Sequence, residues 1–154
     1  MSGAGVPVGG RRPAREGLRL GVVHTRWNED LVQLLVDGAL RAAEAAGVSV
    51  HRIEAVDGSL ELPLAAQRLA ASCDAVVALG VVIEGATPHF EHVSRSCIDG
   101  LTRVSLDTGV PVGNGVLTCH TREQVLERAG GEGSAEDKGG DATLAAIDLA
   151  GLLP

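Results

Sequence analysis

The stretch Glu84-Gly85-Ala86-Thr87-Pro88-His89-Phe90 gathers the residues of this chain best suited to chemistry. Gly85 allows close backbone approach, Thr87 can cap a helix, and Pro88 fits a first helical position, which places His89 in a first turn beside free backbone N–H groups. Such a turn attracts anions, so the segment reads as a phosphate site with His89 as a proton-transfer group. A helix start that merely holds a histidine is the alternative. Trp27 is the single tryptophan and follows directly on an apolar run, where its ring can stack on a planar heterocycle or cover the end of a sheet. Glu61, just before Pro63, can accept from ligand hydroxyls or complement a helix dipole. Arg128 and Lys138 stand out in a chain with few cations, as phosphate partners or as solvated surface charges.

Other chemistries find no motif. His89 and His92 share a helix face but have no third ligand at matching spacing, so no metal is expected. Gly80 to Thr87 lacks the Gly-Lys-Ser/Thr ending of a P-loop, no G-x-G-x-x-G follows the first apolar run, and no G-x-S-x-G elbow offers a serine nucleophile.

These residues must be held by a scaffold, and the pattern of the chain supplies one. Leu18 to His24 reads as a buried strand and Glu29 to Ala46 as an amphipathic helix capped by Asn28 and ended by Gly47. Val48 to Val56 is a strand, Pro63 to Ser72 a helix, and Ala75 to Ile83 a strand so apolar that both faces must be covered. Pro88 to Leu106 is a helix, Val110 to Thr118 a fourth strand, Thr121 to Ala129 a helix, and Asp141 to Leu152 a last helix. Alternation of this kind predicts an α/β fold: a three-layer sandwich with a four-stranded parallel sheet flanked by helices, flavodoxin-like. Ligands of such sheets bind beyond the carboxyl ends of the strands, where the segments around Trp27, Glu61, Gly85 and Asn114 fall.

Composition narrows the partners. With 154 residues, one domain is expected over 17–154, preceded by a flexible Gly-, Pro- and Arg-rich arm over 1–16. Arg11 and Arg12 resemble a twin-arginine signal, but no apolar segment follows them, so export is not expected. A net charge of -7 repels phosphate backbones and argues against nucleic acid, and no apolar run reaches the length that spans a bilayer. Three widely spaced cysteines, Cys73, Cys97 and Cys119, suit a reducing cytoplasm.

At these residues the chain resembles the 6,7-dimethyl-8-ribityllumazine synthase family, in its actinobacterial branch, from about Leu18 to Leu152. The motifs that carry the likeness are Arg26-Trp27-Asn28, Gly58-Ser59-Leu60-Glu61-Leu62-Pro63, the run from Leu79 to Phe90, Gly115-Val116-Leu117-Thr118, Glu127-Arg128-Ala129-Gly130 and Ser134-Ala135-Glu136-Asp137-Lys138-Gly139. The resemblance implies a riboflavin-pathway enzyme that condenses 5-amino-6-(D-ribitylamino)uracil with 3,4-dihydroxy-2-butanone 4-phosphate to the lumazine, phosphate and water, with no metal and no cofactor. It also implies site roles. Trp27 would stack on the pyrimidine, Ser59, Leu60 and Glu61 would hold the ribityl chain and ring edge, and Val82 and Ile83 would meet the ring through backbone groups. Gly85, Ala86, Thr87 and Arg128 would bind phosphate, His89 would transfer protons, and Asn114 and Lys138 would complete the pocket, with residues near Asn114 coming from a neighbouring subunit.

The implied assembly is a homopentamer with sites between subunits, or stacked pentamers, with riboflavin synthase as a candidate partner. A sixty-subunit shell is less favoured because the final loop is long. Glu84, His92 and Asn114 depart from the common family pattern. The competing readings are a non-catalytic paralogue that binds a lumazine or flavin, and a structural shell protein.

Overall fold

A computed structural model describes residue 5 and residues 7–152. Residues 1–4 and 6 of the expected arm, and 153–154 at the far end of the expected domain, lie outside the described residues. The elements run β1 (Leu20–Thr25), α1 (Glu29–Ala45), β2 (Val50–Val56), a 3-10 turn (Ser59–Glu61), α2 (Leu62–Ala70), β3 (Ala75–Ile83), α3 (His89–Thr108), β4 (Val112–Cys119), α4 (Arg122–Leu126) and α5 (Lys138–Ala150). The four strands form one parallel sheet in the order β2-β1-β3-β4, as the alternating pattern predicts. The order in which successive strands are added reverses between β1 and β3, the switch point at which such sheets open a crevice at the strands' carboxyl ends.

The apolar run of β3 is central because it packs on both faces. Ala75, Val77, Leu79 and Val81 join Leu20 and Val22 beneath α1 and α5, while Val76 and Ala78 join Val23 beneath α2 and α3. This is the period of two expected of a strand buried between two helical layers. Glycine lets the last helix close in: a Cβ at Gly139 would lie 2.1 Å from the Leu35 carbonyl oxygen, and one at Gly113 2.3 Å from that of Ala142. Strand β2 is one of the two outer strands, with His51, Arg52, Ile53 and Glu54 exposed. Charges on such an edge discourage unwanted pairing.

Several expected boundaries shift by a few residues. Leu18 and Val48 are buried but lie outside the hydrogen-bonded ladder, because core packing and strand pairing end at different residues. Helix α5 begins at Lys138, three residues early, where the Asp137 side chain accepts from the Gly140 N–H at 3.0 Å. Asn28 does not cap α1 with its side chain. It takes the left-handed conformation (φ 58°) and its Nδ2 donates to the Val81 carbonyl at 3.3 Å, tying β1's exit to β3. Thr87 caps α3 no better, offering His89 N–H only a 3.5 Å contact.

Before β1, the Arg12 N–H and guanidinium donate to Asp148 at 2.6 and 2.8 Å, and Arg15 pairs with Asp74 at 2.8 Å. Cys73, Cys97 and Cys119 are buried free thiols. Burial pushes the Cys97 thiol up to about 11, which makes it a packing group at neutral pH.

Candidate active site

Ten of the thirteen expected site residues line one or other of two cavities that share no lining residue. Trp27, Ser59, Leu60, Glu61, Val82, Ile83 and His89 line a cavity of about 530 Å³ at the carboxyl ends of β1 and β3. Asn114, Arg128 and Lys138 line a second cavity, of about 290 Å³, along β4. Gly85, Ala86 and Thr87 stand exposed between β3 and α3 and line neither.

In the first cavity the walls are set by backbone bonds between strand exits. The N–H groups of Arg26 and Trp27 donate to the Val56 and Asp57 carbonyls at 2.8 and 3.2 Å, and Arg26 Nη1 pairs with Asp57 Oδ1 at 2.7 Å. This holds Trp27 at the rim with 72% of its surface exposed, so the ring does not cover the sheet end. Glu61 Oε2 accepts from the Gly58 N–H at 2.8 Å, closing the turn that carries Ser59 and Leu60. That bond occupies one of about four acceptor positions on the carboxylate and leaves others for a ligand. Ser59 is buried, whereas Leu60, Glu61 and His89 are exposed.

Asn28, Asp57, Gly58, Val81 and Val93 also line this cavity and were given no site role from sequence, although Asn28, Gly58 and Val81 lie in the quoted motifs. One signal was present for Val93, which stands four residues after His89 and so shares its helix face. Asn28 adjoins Trp27, but its turn toward β3 depends on a left-handed backbone that its residue type only permits.

The second cavity is cationic at one end. Arg128 Nη1 donates to the Gln124 carbonyl at 2.8 Å and approaches Glu127 Oε2 at 3.3 Å. Lys138 Nζ pairs with Glu136 Oε2 at 2.9 Å. Asn114 uses its Oδ1 to accept from the Val116 N–H at 3.0 Å. Cys119, on the same wall, is held above its ordinary thiol value chiefly by burial, with Arg128 opposing the shift. Glu84 turns its side chain to His120, with Oε2 2.5 Å from Nδ1. Among the described residues, no three His, Cys, Asp or Glu side chains gather closely enough to hold a metal ion.

The first cavity thus presents an exposed indole and a histidine, and the second two cations, surfaces able to meet a planar ring and an anion respectively. Comparison with known proteins gives the family. Residues 17–154 match the family model described as 6,7-dimethyl-8-ribityllumazine synthase. A protein of that name from Saccharopolyspora erythraea is 56% identical over 153 residues, covering 99% of this chain and 92% of its own. Namesakes from Renibacterium salmoninarum and Frankia casuarinae are each 54% identical, covering 97% and 99% of this chain and 98% and 96% of their own.

Proposed function

From the membership of this chain in the 6,7-dimethyl-8-ribityllumazine synthase family, we propose how its two half-sites divide the work of the reaction. The chain is an enzyme of riboflavin biosynthesis, a transferase that condenses 5-amino-6-(D-ribitylamino)uracil with 3,4-dihydroxy-2-butanone 4-phosphate. The products are 6,7-dimethyl-8-ribityllumazine, phosphate and water. The amine attacks the ketone and water leaves to give an imine, phosphate is eliminated, and ring closure with loss of a second water completes the lumazine. Each step needs oriented reactants and moved protons more than a strong electrophile.

In this reading Trp27 stacks on the pyrimidine, and backbone groups of Val82 and Ile83 meet its edge. Ser59, Leu60 and Glu61 hold the ribityl chain. Gly85, Ala86 and Thr87 offer backbone N–H groups to the phosphate, and His89, in the adjoining turn, moves protons between the reacting nitrogen and oxygen atoms. Arg128 pairs with the phosphate, while Lys138 and Asn114 close the pocket.

The observation that carries this division is that Asn114, Arg128 and Lys138 line a different cavity from Trp27 and His89. A site built from both halves is completed when a neighbouring subunit supplies the second, as a ring with head-to-tail contacts allows. We take that ring to be a pentamer, alone or stacked, and riboflavin synthase to be a candidate downstream partner. Buried free cysteines fit a cytoplasmic setting. Among the described residues no helix is long and apolar enough to cross a membrane.

Mixing purified protein with both substrates and following lumazine fluorescence tests the reaction, and a rate no faster than the spontaneous condensation would refute it. Refolding Trp27→Ala and Arg128→Ala chains together tests the sharing: mixed rings should regain roughly a quarter of the native sites. Mixed rings no more active than either variant alone would place both halves in one subunit.

A further inference from the structure

His120 joins both ends of the anion loop to the strand that runs beside it. Its Nδ1 lies 2.5 Å from Oε2 of Glu84, the loop's first residue. Because a carboxylate only accepts, Nδ1 is the donating nitrogen. The ring centroid of His120 lies 5.9 Å from that of Phe90, just beyond the loop, at an interplanar angle of 41°. Glu84 is held a second time, its N–H donating to the Cys119 carbonyl at 2.9 Å. On the other side, the His120 N–H donates to Gln124 Oε1 at 2.8 Å, and the Gln124 carbonyl accepts from Arg128 Nη1 at 2.8 Å.

One residue thus links the loop from Glu84 to Thr87 with the segment bearing Arg128. The loop needs an outside hold, since residues 84–89 are exposed and Thr87 gives His89 only the long contact described above. We propose that His120 is a positioning residue for the phosphorylated substrate, its side chain holding the loop of its own site preformed, while its N–H steadies Gln124 and so the Arg128 that serves the adjoining site. This rests on the reading of Gly85, Ala86, Thr87 and Arg128 as phosphate binders. With sites shared between neighbours, His120 conditions the loop of one site and the arginine of the next.

The His120 and Glu84 side chains are 67% and 48% exposed, so their pairing adds little to global stability. Its effect is local: a preformed loop binds an anion without first losing conformational freedom. In the full-length assembly, His120→Ala should raise KM for the phosphorylated substrate, and weaken inhibition by inorganic phosphate, by about threefold to tenfold. It should leave kcat and the KM of the pyrimidine substrate within about twofold. His120→Asn, whose amide N–H can stand where Nδ1 does, should restore most of the phosphate affinity. Adding Glu84→Gln to His120→Ala should cause no further loss.

An unchanged phosphate KM in His120→Ala, beside an active native enzyme, overturns the positioning role. Equal rises in both KM values with a lowered melting temperature overturn it too, in favour of general support of the fold. A native protein that neither condenses the substrates nor binds phosphate would instead bring down the underlying reading of the site.

Discussion

The indole of Trp27 stands against Gly58, where a Cβ would lie 3.5 Å from Cδ1 of the ring and 3.3 Å from Oε2 of Glu61. The ring, the glycine and the carboxylate thus form one continuous rim, built from the exits of β1 and β2. The remaining surface of the indole faces the solvent, so the ring adds little to the core.

Trp27→Ala should therefore raise KM for the pyrimidine substrate by about tenfold, the upper range for a stacked aromatic pair, and Trp27→Phe should recover most of it. Thermal unfolding should not move, since the side chain is largely exposed. Steady-state kinetics and a melting curve on the same samples check both halves of the statement.

His89→Ala should slow turnover by roughly tenfold to a hundredfold, at or below the usual range for a general acid or base, because the substrates partly react unaided. The exposed position of His89 at the start of α3 leaves stability unchanged. Single-turnover measurement of lumazine formation separates this effect from binding, and an unaltered rate would remove His89 from the proton path.

Arg128→Ala should weaken binding of the phosphorylated substrate and of inorganic phosphate by about tenfold or more, the scale of a charge-assisted hydrogen bond lost. Titration calorimetry with phosphate reads this directly. Unchanged phosphate affinity would place the guanidinium outside the site, held by Gln124 and Glu127.

Asp74 gives the fold an acid-sensitive joint. Its carboxylate accepts from the Arg19 N–H at 2.8 Å and pairs with the guanidinium groups of Arg19 and Arg15. The Arg19 hydrogen bond, above all, holds the carboxyl below its ordinary value of 3.8. A carboxyl lowered in the folded state contributes stability that is fully present above that value and is lost as pH falls through the folded one. Asp74→Asn should cost about 1 kcal/mol at pH 7, a figure reduced for the exposed arginine partners. The difference from the native chain should shrink below about pH 4, as acid unfolding curves at several pH values would reveal.

The local pattern of the chain determined the element types, the central place of β3 and the segments that could bind a ligand. Hydrophobic periodicity is a property of near neighbours, so Ala75 to Ile83 could only be a strand covered on both sides. The family motifs likewise marked Trp27, Glu61, His89 and Arg128 without any coordinates. Tertiary structure decided which of these residues meet. Pairing of Ile83 with Cys119 in the β3–β4 register brings Glu84 beside His120, 36 positions away in the chain, and no spacing rule foretells that pair. The left-handed turn at Asn28 and the division of the site residues between two cavities have the same origin. They depend on how strands stack side by side, and the free energy that fixes that arrangement comes from the packed core and not from the segments themselves.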